Sequence, residues 1–117
     1  MKLTIYHNPR CSKSRETLRL LHDAGVEPEV VEYLKSPLTA AQLDEVCHKL
    51  QVEPQTLIRF KEPVAKELNI APSDKRSRAQ WLALIAQNPI LMERPIVVSA
   101  RTARIGRPPE AVKDLLP

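Results

Sequence analysis

Cys11 is the residue in this chain best suited to covalent chemistry. It stands in the run His7-Asn8-Pro9-Arg10-Cys11-Ser12-Lys13-Ser14-Arg15, where His7, Arg10, Lys13 and Arg15 are cationic or can become so. Only Glu16, one place further on, opposes them. Nearby cations favour the thiolate, which is the nucleophilic form of cysteine. The run also lies where a loop passes into a helix start. The unpaired N–H groups and partial positive charge there act in the same direction. A thiol so placed titrates below the free value of about 8.5. Ser14 at i+3 and Arg15 at i+4 can both face the sulfur, and the Ser14 hydroxyl can donate a hydrogen bond to it. A small residue filling a strand–helix corner would account for the cysteine, but not for four potential cations around it.

A C-x-x-C dithiol would place its second thiol at position 14, where this chain has serine. No disulfide can form across that turn, so any redox cycle must bring its second thiol from outside. That excludes a thioredoxin-type dithiol oxidoreductase. The other cysteine, Cys47, falls on the apolar stripe of a helix and reads as a small hydrophobe. His22 and His48 border apolar stripes and read as surface or edge residues. No Cys/His spacing resembles a metal site.

Three arginines stand in distinctive local settings. Arg94 precedes Pro95 at the entrance to the strand Ile-Val-Val, and Arg107 precedes Pro108 at a helix start. Arg59 lies in Thr-Leu-Ile-Arg-Phe, where Leu57, Ile58 and Phe60 look buried. It fits equally a snorkelling stem or an anchored functional head. Guanidinium is the cation that bidentate recognition of an oxyanion favours.

The elements that must position these residues follow from periodicity. Lys2–Tyr6 alternates as a short strand, Asn8-Pro9 marks a turn, and Ser12–Ala24 reads as a helix with Leu18, Leu21 and Ala24 on its apolar stripe. Gly25 is a suitable stop. Glu29–Tyr33 reads as a second strand. Thr39-x-x-Gln42 resembles a capping box before a helix with Leu43, Val46, Cys47 and Leu50 on one face. Residues 54–69 read as two short helical turns. Ser77-x-x-Gln80 is a second box, before a stripe of Trp81, Leu84 and Ile85. Ile96–Ser99 and Thr102–Ile105 read as strands, and Pro108/Pro109 open a last helix. The order is β-α-β, several helices, then β-β-α, which makes an α/β domain and matches a thioredoxin-like arrangement among other small α/β folds.

Composition bounds the rest. The chain has 117 residues, 43 % of them hydrophobic, which suits one globular domain and excludes disorder. Its apolar runs fall far short of the ~20 residues a membrane helix needs, and the N-terminus lacks the apolar stretch of a signal peptide. A cytoplasmic protein with reduced thiols is expected. Lys and Arg total 18 against 14 Asp and Glu, and the whole excess of +4 lies in residues 76–117. Arginines there other than Arg94 and Arg107 read as solvated surface. Four aromatic residues leave few platforms for stacking bases, so a nucleic-acid partner is not expected.

Three segments carry a resemblance: Tyr-His-Asn-Pro-Arg-Cys-Ser-Lys-Ser-Arg at 6–15, Glu-Arg-Pro-Ile-Val-Val at 93–98 and Arg-Ile-Gly-Arg-Pro-Pro-Glu at 104–110. Together they resemble the glutaredoxin/glutathione-coupled arsenate reductase (ArsC) family, with its YffB/YfgD-like and Spx-type relatives. Gly106 and Pro109 flank Arg107 differently from the best-known members. The resemblance implies one thioredoxin-like domain over residues 1–117, with a helical insertion at about residues 39–88. It implies that Cys11 is the nucleophile, that Arg59, Arg94 and Arg107 bind the oxyanion, and that His7, Ser14 and Arg15 tune the thiolate. It also implies a cis bond before Pro95, arsenate or a similar oxyanion as substrate, glutathione as co-substrate with no bound cofactor, and glutaredoxin as partner. Two alternatives stay open. One is a glutathione-dependent thiol reductase acting on another substrate. The other is a non-enzymatic, Spx-type regulator that binds RNA polymerase.

Overall fold

The computed structural model describes residues 2–116. The backbone divides into two compact units, Met1–Ser36 with Arg94–Pro117, and Pro37–Glu93. In the first, β1 (Thr4–His7) lies beside β2 (Glu29–Glu32) in parallel, joined through α1 (Ser12–Asp23). β3 (Ile96–Val98) runs antiparallel to β1 and pairs in turn with β4 (Ala103–Ile105), giving the order β2-β1-β3-β4. This α/β arrangement is thioredoxin-like. Register places His7 opposite Glu32 and Ile5 opposite both Val30 and Val97.

Apolar side chains on one face of this sheet, Leu3, Ile5 and Val97, bury against Leu21 of α1 and against Val112 and Leu115 of the closing 3-10 helix Pro109–Leu115. That last segment is 3-10, with Pro108 at its N-cap and Pro109 at its first position. The α1 face differs from the periodic stripe. Ser14, Thr17 and Leu21 are buried, whereas Leu18 is half-buried and Ala24 is exposed. The polar members are tolerated because both hydroxyls are hydrogen-bonded within the unit. Gly25, at φ +80°, ends the helix, and its N–H donates to the His22 carbonyl.

In the second unit, α2 (Ala40–Leu50) packs on α4 (Arg78–Gln87). Each opens with a reciprocal capping box, Thr39 with Gln42 and Ser77 with Gln80. Leu43, Val46 and Cys47 of α2 and Trp81, Leu82 and Ile85 of α4 are buried. Leu82 takes the place the stripe assigned to Leu84, because α4 turns a wider face inward than a two-position stripe describes. The stretch read as two turns is the 3-10 segment Pro54–Leu57 and α3 (Pro63–Glu67), each opened by proline. Phe60 is only half-buried and sets its ring edge-on to Trp81, 6.0 Å between centroids. No described helix is long and apolar enough to cross a membrane.

Two arginines read as solvated surface have partners in this unit. Arg76 covers the Trp81 ring at 5.6 Å and pairs with Asp74. Arg78 ties α4 to Asp44 of α2 at 2.7 Å, and its other nitrogen reaches Glu53 at 3.5 Å. Much of the late positive excess is therefore matched locally. Pairs this open to water are screened and contribute little to stability.

Candidate active site

The loop between β1 and α1 sets the position of the sulfur. Asn8 shapes it twice. Its carbonyl accepts from the Cys11 N–H at 3.0 Å, and its side-chain Oδ1 accepts from the Arg10 N–H at 3.0 Å. Asn and Asp favour turns because they bond their own backbone in this way. Cys11 is the N-cap of α1, in extended conformation, and is half-buried. No side-chain capping bond closes on it, yet the Ser14 and Lys13 N–H groups favour its charged form.

Two arginines approach the sulfur from the far end of the sequence. Arg107 Nη2 lies 3.5 Å from Cys11 Sγ, and its Nε donates to the Arg94 carbonyl at 2.8 Å. The Arg94 guanidinium acts on the sulfur both as hydrogen-bond donor and as charge. Burial, the largest single influence, pushes the Cys11 thiol up. The Ser14 N–H, Arg94 and the Lys13 N–H together outweigh it, and the thiol lies below the ordinary cysteine value. Arg107 is exposed, so water screens its charge, and Arg94 is the cation that lowers the free thiol. Both peptide bonds Arg94–Pro95 and Arg107–Pro108 are cis.

Three residues expected to tune the thiolate are organised differently. The Ser14 hydroxyl is turned away from the sulfur. It accepts from the Asn8 N–H at 3.0 Å and lies 2.6 Å from His7 Nδ1. Which of these two atoms donates follows the tautomer of His7, since a hydroxyl oxygen can accept twice. Burial pushes the His7 pKa down, Glu32 opposes this and Arg15 adds to it. It is therefore the Ser14 backbone that reaches the sulfur, while its side chain ties α1 to β1. Arg15 turns back to donate to the Pro9 carbonyl at 2.9 Å, bracing the loop. The sequence spacing put these residues on the right turn, but i+3 and i+4 proximity leaves open which atom of each points inward.

Arg59 lies in the second unit. Its Nη1 meets Glu93 at 3.1 Å and its Nε meets Glu62 at 3.4 Å, so it is an ion-paired, half-buried head rather than a snorkelling stem alone. Cys47 is fully buried, and burial pushes its thiol up to about 11. Two contributors escaped the sequence reading. Asn8 was legible only as part of a turn, and Glu32 becomes visible only once strand register is known.

A thioredoxin-like sheet carrying a lowered, partly exposed thiol at a helix N-terminus, with arginines beside it, defines a class of thiol proteins built around one cysteine. The chain belongs to the ArsC family, whose sequence model matches residues 6–115. It is 53 % identical to the uncharacterized protein YfgD of Escherichia coli K12, across 98 % of this chain and 97 % of that one. It is 40 % identical to an arsenate reductase of Haemophilus influenzae, over 99 % of this chain and 100 % of the relative. The solved structure of an arsenate reductase from Vibrio cholerae superposes with a TM-score of 0.94, at 44 % identity, over 99 % of this chain and 98 % of that chain.

Proposed function

We propose that the protein is an arsenate reductase-like thiol oxidoreductase that converts arsenate to arsenite, with Cys11 as nucleophile and glutathione as co-substrate. The observation that carries this reading is the lowered Cys11 thiol with Arg107 Nη2 at 3.5 Å and Arg94 beside it. A half-buried thiolate beside two guanidiniums offers a nucleophile and an anion seat in one place. Helix N–H groups complete such a seat. Relatives named arsenate reductase at 36–41 % identity add support.

In this mechanism Arg94 and Arg107 neutralise the tetrahedral oxyanion and draw it to the sulfur. Cys11 attacks arsenic, one oxygen leaves as water, and a sulfur–arsenic(V) bond forms. Glutathione then bonds to the Cys11 sulfur. Two thiols become one mixed disulfide, and their two electrons reduce arsenic(V) to arsenic(III), which leaves as arsenite. Glutaredoxin reduces the mixed disulfide and restores Cys11. Ser14 in place of a second thiol suits a cycle whose resolving thiol is external. Such a cycle belongs in a reducing, cytoplasmic compartment. The role of Arg59 rests on the family resemblance alone.

The test couples purified protein to glutathione, glutaredoxin, glutathione reductase and NADPH. Arsenate-dependent NADPH loss that disappears in Cys11→Ser is the expected result. Loss without arsenate, abolished by the same variant, points instead to a glutathione-dependent thiol reductase of another substrate. No Cys11-dependent turnover at all removes the enzymatic reading.

A further inference from the structure

Gly106 joins β4 to the Arg107 segment and is buried. Its φ lies outside the left-handed region, so glycine is required here for space, not for conformation. A Cβ at this position would lie 2.5 Å from Thr17 Oγ1, 3.1 Å from Thr17 Cγ2 and 2.8 Å from Pro95 Cγ. Contacts under 3.0 Å are essentially never made by real Cβ atoms. Neither neighbour is the free end of a flexible chain. Thr17 is fully buried and its hydroxyl donates to the Lys13 carbonyl at 2.7 Å. Pro95 is a buried ring whose carbonyl accepts from the Gly106 N–H at 2.9 Å.

Each side of this packing carries part of the candidate site. Thr17 belongs to α1 one turn beyond Lys13 and Ser14, whose N–H groups favour the Cys11 thiolate. Pro95 follows Arg94, and Gly106 precedes Arg107. Those two arginines are bonded to each other one residue away from the Gly106–Pro95 hydrogen bond. We propose that Gly106 is a positioning residue, whose missing side chain lets the Arg94/Arg107 pair close onto the first turns of α1 at hydrogen-bond distance from the Cys11 sulfur. This rests on the reading of Cys11 as the reactive thiol with Arg94 and Arg107 as its cations. The chain positions between the members, 96 from Cys11 to Arg107, leave tertiary packing as the only way to hold that spacing. A methyl group at Gly106 requires Thr17 or Pro95 to shift; on the proposal that shift separates α1 from the arginine pair, and at a few ångströms a small separation weakens both charge and hydrogen bond.

The experiment reads thiol chemistry, so arsenate turnover plays no part. The rate of Cys11 alkylation by iodoacetamide is followed against pH in wild type, Gly106→Ala, Thr17→Ala and the double variant, with circular dichroism as the check on folding. Gly106→Ala is expected to raise the midpoint by about half a pH unit or more, and each half unit corresponds to a rate loss approaching about threefold at pH values below both midpoints. The double variant, compared with Thr17→Ala alone, is expected to recover part of that shift. A folded Gly106→Ala with the wild-type midpoint, even one that melts earlier, overturns the proposal, as does a double variant with no recovery. Should Gly106→Ala fail to fold, Thr17→Val decides. It exchanges the hydroxyl nearest Gly106 for a bulkier methyl, and an unchanged midpoint there also overturns the proposal. A negative coupled arsenate assay beside a shifted midpoint removes arsenate and keeps Gly106, and the converse removes Gly106 alone.

Discussion

At Cys11 and Cys47 the same chain holds two thiols that burial treats alike and neighbours treat oppositely. Burial raises both, but only Cys11 has helix N–H groups and Arg94 to reverse the sign. Alkylation rate follows the thiolate fraction, which for either residue rises with pH through its pKa. Cys11 is therefore expected to label with a midpoint below that of a free thiol. Cys47, held at about 11 and fully buried, labels at neutral pH only after unfolding. Mass spectrometry of peptides after a short pulse of alkylating agent measures this, and equal labelling of the two in the folded protein contradicts it. The helix-start position of Cys11 was visible in the sequence, but the near-neighbour cations that pointed to it are not what lowers the thiol. The Ser14 and Lys13 N–H groups and the distant Arg94 do so, and only contact reveals that Arg94 acts on the sulfur itself.

Elements hold these residues through end chemistry as much as through burial. The Thr39 and Ser77 boxes each satisfy one N–H at the helix start and one at the cap, with Thr39 N to Gln42 Oε1 at 2.9 Å and Ser77 N to Gln80 Oε1 at 2.8 Å. Thr39→Ala or Ser77→Ala is expected to cost about 1 kcal/mol, seen as a lower urea midpoint with unchanged slope. Thr39→Ser should lose little. Values near zero for both alanine variants would show the caps to be dispensable. Both boxes were legible because capping is a local code of four residues. Buried faces were less so. The α1 periodicity pointed to Leu18 and Ala24, but Ser14 and Thr17 are buried instead. A helix whose first turn holds a polar site buries hydroxyls there, and the partners that allow it, His7, Asn8 and the Lys13 carbonyl, are set by the β1–α1 corner.

For the molecule as a whole, a bound oxyanion is also a stabiliser. Anything that binds the folded chain and not the unfolded one raises stability by mass action, about 2.7 kcal/mol at a hundredfold excess over the dissociation constant. Arsenate is expected to raise the melting temperature of wild type with increasing concentration, and Arg94→Ala or Arg107→Ala to lose most of that rise. A rise that survives both substitutions places anion binding elsewhere. High chloride should weaken the effect at exposed Arg107 by screening.

The sequence by itself determined the α/β class, the helix starts, the single activated thiol and the lack of a second thiol across its turn. These depend on residues within a few positions of one another, where periodicity, capping and near-neighbour charge operate. Tertiary structure decided which atoms meet. It set Arg94 and Arg107 on the sulfur, turned the Ser14 hydroxyl to His7, tied Arg59 to Glu62 and Glu93, and placed Gly106 where an added Cβ would meet Thr17 and Pro95. The physical reason is range: a hydrogen bond or a guanidinium contact acts over a few ångströms in space, and only packing brings residues 96 positions apart to that distance.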